Sequence, residues 1–333
     1  LSRDFSDNFK LSKLCEAFLD WKKFYLQEDD SQRRVDRVLR RLLPHKAQGQ
    51  IYSALRKGLV KLNSQKIPPN RLTQKGDELS VAAFLFENES QETKPCEIPF
   101  PAASQDSVSN QKISIEKITV FQNEHIVFLN KPCGISVHGE NSLAEFFSKS
   151  FTKNATSISF RSGPLHRLDK NTSGLVAFSA SLLGAKWFSE KIKSHEIKKS
   201  YFGIAEGRIS QEEIWRDEIE GKSALTVARP LAHGNFGGLD LTLVEYKILT
   251  GRKHQIRIHG ASHGHPLFGD EKYGGQKRPA PAREQYFLHA YKMEFPSNDL
   301  SLPNFLQGAL PENFCAFLKT YFENTLDIFA PFL

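Results

Sequence analysis

ITVFQNEHIVFLNKP, residues 118–132, supplies two short strands. Its apolar runs are brief, rich in β-branched and aromatic residues, and split by the polar Gln122–His125 before ending at Pro132. Runs this short and bounded by turn residues read as strands rather than helices. The same texture continues outward. GLVAFSAS (174–181), KKSYFGIAEG (198–207), LDLTLVEYKIL (239–249) and YFLHAYKMEF (286–295) are further strands, and LLGAKWFSEKIKSH (182–195) is a helix between them. Many adjacent strands with few helices predict an α+β body built on a large, mixed or mainly antiparallel sheet. HGNFGGLD (233–240) lacks the glycine spacing of a phosphate-binding loop and precedes a strand, so it reads as a turn.

The chain has 333 residues and a net charge of +7, so two or three domains are expected. Its charge is unevenly placed. Between Arg33 and Lys75 there are twelve basic residues and a single acid, Asp36, so this segment alone carries +11. In RRVDRVLRRLL (33–43), Val35, Val38, Leu39, Leu42 and Leu43 recur at helical spacing, while Arg33, Arg37, Arg40 and Arg41 fall on the opposite face. Pro44 ends that helix. QIYSALRK (50–57) is a second helix stopped at Gly58, LVKLNSQKI (59–67) a strand entering a turn, and GDELSV (76–81) a turn and strand. A helix that is merely solvated usually mixes charge signs, so this one-sided face points to phosphate.

Before the basic segment, residues 8–26 carry Phe9, Leu11, Leu14, Cys15, Phe18 and Leu19 at mixed helical spacing and predict an extra helix. After it, residues 88–112 are rich in Ser, Pro, Gln and Asn without periodicity and read as a linker. The division expected is 1–30 helical extension, 31–87 basic domain, 88–112 linker and 113–333 main domain. No apolar run reaches the ~18–20 residues that span a bilayer, and the first residues are not expected to act as a secretory signal. Four scattered cysteines without a C-x-x-C pair fit reduced thiols, and a cytoplasmic location is expected.

The densest polar cluster is GPLHRLDKNTSGL (163–175), which interrupts the strands between Gly163 and Gly174 and reads as a loop presented at a cleft. HRLDKNTSGL resembles the signature of RluA-family pseudouridine synthases, which convert selected uridines in RNA to the carbon-linked isomer. IVFLNKPCGISVHG (126–139), KKSYFGIAEG, ILTGRKHQIRIH (248–259) and GHPLFGDEKYGG (264–275) are similar to four further family motifs in the same order. The basic segment resembles an S4-type RNA-binding domain, small and of α/β type. Together the two resemble the RluC and RluD branch, which acts on large-subunit ribosomal RNA. The fold implied is the pseudouridine synthase fold with an N-terminal S4-type domain.

The resemblance assigns roles. Asp169 is the catalytic nucleophile or base, since a carboxylate can attack and then leave. Arg257 pairs with Asp169, where a fixed guanidinium opposes the protonation that burial favours. Tyr201 stacks on the target base, Leu288 and secondarily Ile256 form the apolar wall beneath it, and Arg167 enters the gap left by the flipped nucleotide. Arg33, Arg37, Arg40, Arg41, Arg56 and Lys57 are the expected RNA contacts. The reaction moves neither electrons nor phosphoryl groups and requires no cofactor or metal. The partner implied is RNA, ribosomal RNA in particular, with no membrane association, and the protein is expected to act as a monomer. The alternative is a catalytically inactive S4-type RNA-binding protein.

Two other readings fit the residues less well. His254, His259, His263, His265 and His289 with Asp270 suggest a zinc or manganese hydrolase, but their spacing matches no compact ligand set and no H-E-x-x-H occurs. Clustered histidines here are expected to face solvent or RNA. HRLDKN has some likeness to a kinase catalytic loop, but the residue order differs and the other kinase motifs are missing.

Overall fold

WKKFY, residues 21–25, lies inside the stretch read as helical but forms a strand, β1 (Trp21–Tyr25). Its aromatic residues favour extended backbone. Phe24 packs on Phe86 at 5.9 Å, and Lys22 and Lys61 sit over the Phe86 and Trp21 rings. The computed structural model describes residues 20–87, 114–151, 157–158, 160–278 and 285–322. The rest of the expected N-terminal helix and the expected linker lie outside these residues, as do Cys15 and Cys96. Among the described residues Cys133 and Cys315 are free thiols, and no helix is long and apolar enough to cross a membrane.

The described residues form two compact units. The N-terminal one contains residues 20–87 together with 157, 158, 160 and 161. Helix α1 (Val35–Leu42) and helix α2 (Gln48–Lys57) arise where the apolar spacing requires them. Gly58 caps α2 in the left-handed conformation at φ 75°. Strands β2 (Val60–Leu62), β3 (Gln65–Lys66) and β4 (Glu78–Ala82) join β1 in an antiparallel sheet of order β1-β4-β2-β3. Val35, Val38, Leu39, Ile51, Leu55, Val60, Leu79 and Val81 form its core, with Ile158 packed against them. Asp30, fully buried, accepts hydrogen bonds from the Gln27 amide at 3.0 Å, the Ser157 hydroxyl at 2.8 Å and the Ile158 amide at 3.3 Å. The division expected from sequence therefore shifts twice. Residues 20–30 belong to the N-terminal unit because β1 and Asp30 complete its sheet and core. Residues 157, 158, 160 and 161, expected within the main domain, belong there too because Ser157 and Ile158 satisfy the Asp30 carboxylate.

The second unit is an α+β body on one large sheet. Its elements are β5 (Thr119–Gln122), β6 (Ile126–Lys131), α3 (Leu143–Phe151), β7 (Ser173–Ser179), α4 (Leu182–Lys193), β8 (Lys198–Glu206), β9 (Glu213–Ile219), β10 (Lys222–Phe236), β11 (Leu239–Ile248), α5 (Gln255–Ser262), β12 (Leu288–Glu294), β13 (Phe305–Gln307) and α6 (Glu312–Tyr321). The nine strands run β5-β6-β7-β12-β8-β11-β10-β9, with β13 added to β12. Every pairing is antiparallel except β7 with β12. Successive strand residues enter opposite faces. Tyr201 joins Val176, Val244, Tyr246 and Leu288 on one side, while Phe202 joins Leu243, Phe287 and the α6 residues Phe314 and Leu318 on the other.

The parallel pairing places the site. Ser173 and Gly174 lie opposite His289 and Ala290, and the Ser173 hydroxyl is 2.8 Å from His289 Nδ1. Gly174 has φ 113°, and a Cβ there would come within 2.3 Å of the Ala290 carbonyl oxygen. Only glycine lets β7 and β12 approach so closely. The polar loop before Gly174 is thereby delivered to the middle of the sheet.

Candidate active site

Asp169 sits on a loop held from below by a buried lysine. The Lys131 ammonium donates to the carbonyls of Pro132 at 3.0 Å, Ile135 at 2.8 Å and Lys170 at 3.0 Å. The Gly134 amide adds a second bond to the Lys170 carbonyl at 2.9 Å. Burial pulls the Lys131 pKa down to about 8 against the opposing pull of Cys133 and Asp169. The Asn-Lys-Pro turn and the Asp169 loop are thus tied through one charge. Thr172 N donates to the Asp169 carbonyl at 3.1 Å, closing the turn that projects the carboxylate.

That carboxylate enters a cleft of about 400 Å³ of open space. Arg167, Asp169, Tyr201, Ile256, Arg257 and Leu288 all line it, joined by Leu168, Thr172, Ile248, Arg252, His254 and Gln255. All six residues selected from the sequence for this site therefore converge, although they come from β8, β12, α5 and a loop. The Gln255 amide anchors α5 by donating to Leu225 O and Thr226 Oγ1, both at 2.9 Å.

The pairing of Arg257 differs from expectation. Its Nε and Nη2 donate to the two oxygens of Asp270 at 2.7 and 2.8 Å, so the two-pronged bond is made with Asp270. Asp169 receives only Nη1, at 3.5 Å. The guanidinium also lies over the rings of Tyr286 at 4.4 Å and Tyr273 at 4.8 Å. Burial works against its charge, but the Asp270 hydrogen bond and the attraction of Tyr286, Asp270 and Asp169 outweigh it, and the net shift is upward. Asp270 fills Arg257's fork, and among the described residues the Asp169 oxygens receive no short hydrogen bond. The sequence marked Asp270 only within a motif and a rejected metal set; no local pattern signals that it meets a residue thirteen positions earlier.

The remaining assignments divide. Tyr201 is buried, and burial first and Asp169 second push its phenol well above its ordinary pKa. It is a protonated group at neutral pH, able to stack and to donate. Arg167 is exposed at the rim. Arg37, Arg40, Arg41, Arg56 and Lys57 are exposed on the N-terminal unit, and Arg33 is half-buried. Asp36, the one acid among them, is held by Arg34 at 2.8 and 3.2 Å and by the Tyr52 hydroxyl at 3.0 Å, so it offsets none of the exposed face. The four clustered histidines do not all face outward as expected: His259 is fully buried and His254 lines the cleft, and His289, further along the chain, is fully buried as well. Among the described residues no three His, Cys, Asp or Glu side chains come together as metal ligands.

A family model described as RNA pseudouridylate synthase matches residues 125–262. Over those residues the chain is similar to the pseudouridine synthases of RNA. The chain is similar at a distance to ribosomal large subunit pseudouridine synthase C of several bacteria. It is 25% identical over 290 residues to that protein of Vibrio parahaemolyticus, covering 82% of this chain and 89% of the relative. To the Rickettsia typhi protein it is 28% identical over 296 residues, covering 84% and 94%. The solved structure of Human RNA Pseudouridylate Synthase Domain Containing 4 aligns with 62% of this chain and 93% of its own at 23% identity, with a TM-score of 0.48.

Proposed function

We propose that this chain isomerises selected uridines in large-subunit ribosomal RNA, with Asp169 as the nucleophile or base acting on a flipped-out nucleotide. The observation that carries this reading is the single cleft lined by Asp169, Arg257, Tyr201, Arg167, Leu288 and Ile256. In the reaction the C1′–N1 bond breaks, the base turns, the C1′–C5 bond forms, and the C5 proton leaves. A carboxylate with no short hydrogen bond can add and depart, or take a proton. Leu288 and Ile256 give the base an apolar floor, and Tyr201 a face to stack on. The RluC relatives are named for the large ribosomal subunit, which supports that RNA as substrate.

The N-terminal unit is read as an S4-type RNA-binding domain acting as the holding surface. Arg37, Arg40 and Arg41 of α1 point away from the core formed by Val35, Val38 and Leu39, and Arg56 and Lys57 end α2 nearby in sequence. Such a face contributes phosphate contacts and leaves the choice of uridine to RNA shape and the cleft.

The test is pseudouridine mapping of total RNA from cells lacking the protein. One or a few uridines of large-subunit ribosomal RNA should lose modification and regain it with wild-type protein but not with Asp169→Asn. Unchanged maps, or equal rescue by both forms, would overturn the reading. Tyr201→Phe separates stacking from donation. Affinity for RNA should stay within about twofold while turnover drops about 10²-fold, since the phenol proton is lost but the ring remains. Filter binding beside tritium release from 5-tritiated uridine reads both quantities, and unaltered turnover would remove the phenol from the mechanism.

A further inference from the structure

Asp169 offers two carboxylate oxygens, and Arg257 faces only Oδ2. The other, Oδ1, lies 3.5 Å from Nε2 of His254. We propose that His254 is a positioning residue for Asp169, with Tyr273 selecting the tautomer that points an N–H at the reacting carboxylate. The inference rests on the reading of Asp169 given above and adds a second donor to it.

Three independent features of the structure meet at this ring. First, His254 precedes α5 in the left-handed conformation, φ 54° and ψ 24°. L-residues other than glycine adopt this backbone at a cost, and such strain at a cleft residue indicates a side chain held where it is needed. Secondly, a histidine placed there only to end the helix would bond the free amides of its first turn, yet His254 makes no side-chain cap bond. Its Nδ1 is instead 2.7 Å from the Tyr273 hydroxyl, with the rings edge to face at 5.7 Å. Thirdly, the ring lines the cleft beside Asp169.

The protonation states fit this geometry. Burial lowers the His254 pKa, and Arg257, Lys272 and Lys253 lower it further against the opposing pull of Asp169. The ring is therefore neutral near pH 7. Burial also raises the Tyr273 pKa, so its hydroxyl keeps a proton to donate. A neutral imidazole accepting at Nδ1 carries its own proton on Nε2, the atom that faces Asp169. Asp169 then lies between two donors, one per oxygen. That arrangement fixes the plane of the carboxylate while both contacts remain long enough to leave its lone pairs to the substrate.

The experiment measures kcat and KM for the full chain by tritium release from large-subunit ribosomal RNA transcribed in vitro with 5-tritiated uridine. His254→Asn tolerates left-handed backbone, but its amide reaches only as far as Nδ1. The longer side chain of His254→Gln can place an amide N–H near the Nε2 position. His254→Asn should lower kcat about 30-fold with KM within about twofold, and His254→Gln should recover at least about a third of the wild-type kcat. Tyr273→Phe leaves the imidazole in place and should lower kcat about fivefold with KM unchanged. Thermal unfolding of each variant separates these effects from loss of fold. A His254→Asn enzyme within threefold of the wild-type kcat, or His254→Gln no faster than His254→Asn, overturns the inference while Asp169→Asn remains inactive. If Asp169→Asn is as fast as wild type, the assignment of Asp169 fails and this inference with it.

Discussion

Asp169→Asn should abolish turnover, by about 10⁴-fold or more, while leaving fold and RNA affinity in place. The substitution preserves shape and one acceptor oxygen. It removes the only property the reaction needs there, a carboxylate that can form and break a bond or take a proton. The fold should survive because the structural work at this position belongs to the backbone. The Asp169 carbonyl accepts from the Thr172 amide at 3.1 Å, and the loop is held through Lys170 by Lys131. The side chain itself is 19% exposed, and among the described residues its polar contacts are those at 3.5 Å to Arg257 and His254. Losing those contacts leaves Arg257 with its Asp270 partner, so no buried charge is orphaned. Tritium release on purified protein, with a thermal unfolding midpoint beside it, measures both halves. A variant that folds normally and retains more than about a tenth of the wild-type rate would show that another group carries the chemistry.

The sheet was legible where its strands announce themselves by alternation or by short apolar runs. LDLTLVEYKIL became β11 and KKSYFGIAEG became β8. Strand β9, EIWRDEI, was not legible: apolar Ile214 is exposed, charged Asp217 stands between the buried Trp215 and Ile219 on the inward face, and Trp215 alone supplies a large buried ring. Strand β10 was hidden by Pro230 and Gly234. Pro230 stands where the register with β11 shifts, a place where a missing amide does no harm, and Gly234 lies against the Tyr321 carbonyl and Phe322. The turn read in HGNFGGLD narrows to Gly237 and Gly238, both at positive φ, because Phe236 already pairs with Leu239. β1 was missed because five residues beside an apparent helix carry too little periodicity. At the cleft the residue types followed from motif resemblance, but their pairings did not. Nothing in HQIRIH shows that His254 turns left-handed, and nothing in GDEKYGG shows that Asp270 and Tyr273 face Arg257 and His254. Those contacts exist only once α5 and the Gly269–Gly274 loop fold against each other.

The same pairing makes Asp270→Ala the second severe substitution, and one that acts without touching the substrate. The Asp270 side chain is 2% exposed and accepts both prongs of Arg257, at 2.7 and 2.8 Å. Removing one partner of a buried ion pair strands the other, which costs about 3–5 kcal/mol of stability. The surrounding turn should persist, because its bonds run through backbone atoms, Asp270 N to Leu267 O and Gly275 N to Asp270 O, both at 2.9 Å. Among the described residues the freed guanidinium has one nearby carboxylate to turn to. Asp169 Oδ2 is already 3.5 Å from Nη1, and a small rotation would close a short two-pronged bond on it. Such a bond would occupy the lone pairs that the reaction requires and would shift the carboxylate from its place. A displacement of this kind is expected to lower kcat about 10²-fold even in the fraction that remains folded. Asp270→Asn should fall between the two forms, since its amide keeps one acceptor but turns an N–H toward the guanidinium. Chemical denaturation gives the stability change, and rates normalised to folded protein give the catalytic one. An Asp270→Ala enzyme with unchanged stability and a kcat within threefold of wild type would mean that Arg257 needs no partner to hold its position beside Asp169.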